Sequence, residues 1–167
     1  VKSISKIGHE YHLMIKNPAK YIDLLDVSEN DNIIIHYELC ENIPTLLDQI
    51  REKGCHVGLA IDAPTPPEAI LNYYKKIDLV MVMLIHAGRM GSEFQKNCLH
   101  KIKNIQERID RQGYKVVIGV DGSVNRETIP SLKEFGVSHF VGGSTGLFVS
   151  GIPFEKCAKD FKDLVLA

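Results

Sequence analysis

Six short apolar runs, rich in β-branched residues, recur along the chain: YHLMI (11–15), NIIIHY (32–37), HVGLAI (56–61), DLVMVML (78–84), KVVIGV (115–120) and SHFVGG (138–143). Continuous runs of this length, bounded by polar and glycine-rich residues, predict strands buried on both faces. Helical patterns separate them. NPAKYIDLL (17–25) opens with Asn17 as an N-cap and Pro18 at the first helical position. IPTLLDQIREKG (43–54) and SEFQKNCLHKIKNIQERIDRQG (92–113) each end in a glycine that can cap a helix. TPPEAILNYYKK (65–76) opens with Thr-Pro, and NRETIPSLKEFG (125–136) and PFEKCAKDFKDLVLA (153–167) complete the set. Successive strands begin 21, 24, 22, 37 and 23 residues apart, and no linker or low-complexity tract interrupts residues 1–167. The expectation is one α/β domain built of six βα units.

A strand returned by a helix to the next strand pairs parallel, with a right-handed crossover. Two architectures satisfy this: a (β/α)8 barrel and an open doubly wound sheet. No G-x-G-x-x-G follows the first strand, which disfavours the dinucleotide-binding form. The polar and glycine-rich residues cluster just after the strands (HYE, IDAPTP, HAGRMGS, VDGS, GGSTG), and in barrels that end holds the active site. Six units fall short of eight. Either two units precede Val1 or the barrel is open and partial.

Composition narrows the class. A net charge of −1 excludes a broad electrostatic attraction to nucleic acid or to an anionic membrane. No apolar run is long enough to span a bilayer, and no signal-peptide pattern is present. The four cysteines, at 40, 55, 98 and 157, form no C-x-x-C, which predicts reduced thiols and a cytoplasmic location.

Three turns and one histidine are candidates for chemistry. EYHLMI (10–15) places His12 in the middle of an apolar strand. A buried imidazole needs partners for its nitrogens, so His12 is either a satisfied core residue or a ligand. VDGSVN (120–125) puts Asp121 at a strand end, followed by Gly122 and Ser123. GGSTG (142–146) follows the last strand and GRMG (88–91) the fourth. Backbone N–H groups in glycine-rich turns before helices can cradle a phosphate, although glycine also simply permits a tight turn.

YHLMIKNPAKYI, LAIDAPTPPEAI, the run DLVMVML with HAGRMGSEF, and VDGSVNRETIPSLKEFGVSHFVGGS together resemble the ribulose-phosphate 3-epimerase family, in order along nearly the whole chain. VDGSVN and the GGSTGLF ending look closer to the allulose-6-phosphate branch, and HYE to the ribulose-phosphate branch. The resemblance implies a (β/α)8 TIM barrel of the ribulose-phosphate-binding type, here with six units. It implies a homo-oligomeric isomerase of carbohydrate metabolism, in the pentose phosphate context, that inverts carbon 3 of a 2-ketose phosphate. The substrate would be ribulose 5-phosphate or allulose 6-phosphate.

The resemblance also implies site roles. His12 and Asp121 would hold a divalent cation such as Zn, Fe or Mn, with Asp121 serving as one of two acid/base groups. Met83 and Met14 would line the sugar pocket or the barrel core, and His36 the pocket or the core. Gly88, Arg89, Met90, Gly91, Gly122, Ser123, Gly143 and Ser144 would form the substrate and phosphate loops. Removing a proton beside a ketone needs such groups: a carboxylate takes it, and a cation offsets the charge on the ketone oxygen. Several family features are missing. The H-x-D-x-M-D-G element of the second strand and the first-strand serine have no counterpart, so residues 1–167 alone are expected to lack appreciable epimerase activity. His86-Ala87 stands for Asn-Pro, Arg89 or Met90 and Ser92 for Phe and Gln, and Gly119 for the acid before the aspartate. A non-catalytic sugar-phosphate-binding or scaffold protein derived from the epimerases is the alternative.

Overall fold

The apolar runs pair side by side in chain order. The computed structural model describes residues 7–85 and 97–167. It contains β1 (Glu10–Leu13), β2 (Asn32–His36), β3 (His56–Ile61), β4 (Leu79–Met83), β5 (Val117–Asp121) and β6 (His139–Phe140). All five pairings are parallel and the strand order is sequential. A doubly wound sheet reverses direction at a switch point; this one does not, which leaves the TIM-type barrel.

The sheet is strongly curled. His139 Nε2 on β6 lies 2.8 Å from Glu10 Oε2 on β1, close in distance though not aligned as a hydrogen bond. In a flat sheet those two edge strands would be about 24 Å apart, five steps of roughly 4.8 Å. Register gives the same picture. His12 pairs with Ile34, Ile34 with Gly58, Gly58 with Leu79, and Leu79 with Val117. Yet the β5 side chain that meets His12 is Asp121, four residues beyond Val117, after four strand steps. A stagger of about one residue per strand is that of an eight-stranded barrel with shear 8.

Alternation along each strand divides the core. Ile33 and Ile35, Val80 and Val82, and Ile118 and Val120 face outward. There they pack on α2 (Ile43–Glu52), α3 (Asn97–Gln112) and α4 (Ile129–Glu134). The opposite parity faces inward, where Ile34, Ala60, Leu79, Met81 and Met83 form a smaller cluster with Val141 against it. A Cβ on Gly58 would meet Ile34 Cγ1 at 2.6 Å, so a glycine there makes room for isoleucine inside the barrel.

At the N-terminal end of the strands, Asp31 is wholly buried. Its carboxylate accepts from the backbone N–H groups of His9 (2.8 Å) and Ser28 (2.6 Å) and from the Ser28 hydroxyl (2.9 Å). Its carbonyl accepts from His56 N at 2.9 Å. One residue thereby ties the starts of β1, β2 and β3.

The helices depart from expectation at three places. Asn17 does not cap α1 (Ala19–Leu24): it adopts φ 51°, and Pro18 occupies the cap position without a side-chain hydrogen bond. Asparagine tolerates that left-handed backbone better than most residues. The helix expected over 65–76 is a 3-10 turn at Pro67–Ile70 followed by further turns. Thr65, expected to open it, gives its hydroxyl to Glu38 instead. In 125–136, residues 125–128 form a side-chain-bonded turn and α4 covers only Ile129–Glu134. Residues 92–96 lie outside the described residues, and α5 spans Phe154–Leu166.

Candidate functional site

Inward-facing polar side chains gather at the C-terminal ends of the strands. His12 Nδ1 lies 3.4 Å from Asp121 Oδ2, joining β1 to β5 across the barrel. His12 Nε2 lies 2.8 Å from Nε2 of His36 on β2. The two imidazole planes are 14° apart with centroids 4.9 Å apart. A 2.8 Å nitrogen contact is shorter than face-to-face stacking permits, so the rings meet edge to edge, as a hydrogen bond requires. His36 is buried, and its Nδ1 faces Glu38 Oε2 at 3.7 Å.

Glu38 belongs to a 3-10 turn at Tyr37–Leu39, just past β2. Its Oε1 accepts from Asp62 N at 2.8 Å and from the Thr65 hydroxyl. Burial alone would push the Glu38 carboxyl up. The imidazole of His36 and the donors from Thr65 and Asp62 outweigh it and hold the carboxyl down at about 2, from 4.5. Lys101, buried on α3, donates to the carbonyls of Asp62 (2.8 Å) and Ala63 (2.7 Å) and fixes that loop. Burial pushes its ammonium down. The chain Lys101, Asp62, Glu38, His36, His12, Asp121 is continuous from helix to site.

The depressed Glu38 carboxyl has an acid consequence. Its stabilisation is full above pH 4.5 and is lost as pH falls from there toward 2. With screening allowed for, the loss is about 1–2 kcal/mol. Urea unfolding at pH 6 and pH 3 is expected to show it, and Glu38→Gln to flatten that part of the pH dependence. An unchanged slope in the variant would refute this.

The two glycine-rich turns meet beside Asp121. Gly122 has φ 99°, and a Cβ there would meet Ile85 Cγ1 at 2.5 Å, so only glycine fits. Thr145 donates to Val124 O at 3.1 Å, and a Cβ on Gly146 would meet that oxygen at 2.7 Å. The turns are thus packed backbone to backbone. Between them lies a cavity of about 200 Å³ lined by Asp121, Gly122, Ser123, Gly143 and Ser144, with Ile85 at its wall. Met83 is buried inside the barrel, in register with Asp121, whereas Met14 lies just past β1 and is exposed. Gly88, Arg89, Met90 and Gly91, with His86, Ala87 and Ser92, lie outside the described residues. A cavity of about 210 Å³ lined by Pro67, Tyr74 and Arg108 sits on the helix side, away from the strand ends. It holds no predicted site residue.

An imidazole nitrogen and a carboxylate oxygen suit zinc, iron or manganese. Two ligand atoms about 2 Å from one tetrahedral ion stand roughly 3.3 Å apart; His12 Nδ1 and Asp121 Oδ2 match that. Among the described residues no group of three or more candidate ligands forms, so the pair fits as part of a coordination shell. Glu38 and Lys101 escaped the sequence reading. The HYE spacing was visible, but Glu38 follows the strand and its aim depends on the turn.

The sequence matches the family model described as "Ribulose-phosphate 3 epimerase family" over residues 1–148. It is 32% identical over 145 residues to "Ribulose-phosphate 3-epimerase" of Bacillus subtilis (strain 168), covering 86% of this chain and 67% of that protein. It is 33% identical over 166 residues to the protein of that name from Buchnera aphidicola subsp. Baizongia pistaciae, covering 99% and 72%. With the Schizosaccharomyces pombe protein of that name it shares 31% over 144 residues, covering 86% and 61%. The chain thus spans about three fifths to three quarters of the length of these relatives.

Proposed function

This chain belongs to the ribulose-phosphate 3-epimerase family, and from that premise we propose that it carries the larger part of a sugar-phosphate 3-epimerase site acting on a 2-ketose phosphate. The observation that carries this reading is the His12–Asp121 pair, 3.4 Å apart, beside the cavity between the two glycine-rich turns. Asp121 takes the proton from carbon 3 on one face of the substrate, giving an enediolate. His12 and Asp121 would hold a divalent cation, which when bound offsets the negative charge that develops on the ketone oxygen. The turns at 122–123 and 143–144 direct backbone N–H groups and two serine hydroxyls at the phosphate. That contact is remote from carbon 3 and orients the sugar. Met83 supplies an apolar wall next to Asp121.

Calorimetry with ribulose 5-phosphate and with ribulose tests the anion assignment. The phosphorylated ketose is expected to bind at least tenfold more tightly. Equal affinities would remove the phosphate site.

A further inference from the structure

We propose that Glu38 and His36 act as a positioning relay that keeps a proton on His12 Nε2 and so leaves His12 Nδ1 as the atom presented to Asp121. The assignment extends the reading of His12 as a site residue, but it is a claim about proton placement that can be tested without turnover. An ionised carboxylate only accepts hydrogen bonds. Glu38 Oε1 is committed to Asp62 N and the Thr65 hydroxyl, which leaves Oε2 facing His36 Nδ1 at 3.7 Å. Nδ1 is the His36 nitrogen that faces this acceptor-only carboxylate, so the tautomer that fits carries its proton on Nδ1. A neutral imidazole with Nδ1–H has a lone pair on Nε2. The 2.8 Å contact between the two Nε2 atoms needs one proton between them, and it then comes from His12. Nδ1 of His12 is left to hold whatever the site demands, a proton shared with Asp121 or a cation. Carboxylates behind metal-binding histidines fix ring tautomers in this way; here the effect passes through a second histidine.

Long-range 15N–1H correlation spectra of the 15N-histidine-labelled chain read the tautomers directly. His12 is expected to show a protonated Nε2, and added Zn2+ to shift Nδ1 and not Nε2. Glu38→Gln is the decisive variant, because it keeps the shape. Its amide oxygen stays with Asp62 N and Thr65, so its NH2 faces His36 Nδ1 as a donor. The relay then reverses: His36 carries Nε2–H, His12 Nε2 accepts, and the His12 proton moves to Nδ1. Zn2+ affinity by calorimetry is expected to fall about 10- to 100-fold. A lone-pair Nε2 on His12 in the unsubstituted chain, or an unchanged His12 tautomer in Glu38→Gln, overturns the relay. Tautomers that switch as described in a chain that does not bind Zn2+ uphold the relay and sink the metal reading instead.

Discussion

Asp121→Asn is expected to lower kcat for carbon 3 inversion by about 10²- to 10⁴-fold, the contribution of a positioned acid/base group. The measurement is made on the chain extended upstream of Val1 by two further βα units. Inversion requires proton transfer on both faces of the enediolate, and in the proposed mechanism Asp121 serves one. On the proposed reading, the extended form is expected to epimerise a 2-ketose phosphate and residues 1–167 alone are not. Asparagine preserves the volume and one oxygen, so folding should be spared. Thermal unfolding of the variant checks this. Solvent deuterium incorporated at carbon 3 provides the readout. An asparagine variant within threefold of the parent rate would remove Asp121 from the proton transfer, as would rapid exchange by the unextended chain from the second-face assignment.

Asp31→Ala is expected to destabilise the fold by about 3 kcal/mol. The carboxylate is wholly buried and accepts from two backbone N–H groups and a hydroxyl. Its removal leaves those donors buried without an acceptor, and each such loss costs about 1–3 kcal/mol. For a chain of this size that corresponds to a melting temperature lower by roughly 6–12 °C. Asp31→Asn, which keeps one acceptor oxygen, should fall between. Calorimetric melting of the three proteins checks the order. An alanine variant melting within 2 °C of the parent would show that water or rearranged backbone replaces the carboxylate.

Much of the fold was legible in the chain because both faces of a parallel sheet are buried. Runs such as NIIIHY and DLVMVML have no other stable place in a protein of this size. The third interstrand segment misled because Thr-Pro-Pro resembles a helix start, while Thr65 has a better partner in Glu38 than in its own backbone. At the site, the local pattern put His12 in the middle of a strand and Asp121 at a strand end. Their meeting depends on strand stagger, a four-residue offset that no local pattern encodes. The contact of His36 with His12 is equally hidden: the register partner of His12 is Ile34, and barrel tilt brings the next inward residue to it. Glu38 was harder still, since a 3-10 turn aims it.

The alternation along β5 has an evolutionary consequence. Ile118 and Val120 belong to the layer under the helices, and Asp121, one position on, to the site. Selection for a foldable chain and selection for a useful chemistry therefore act on different letters of the same short word. The helix-facing letters can stay fixed while the letter at the strand end changes, so the chemistry can be altered there without disturbing the layer under the helices.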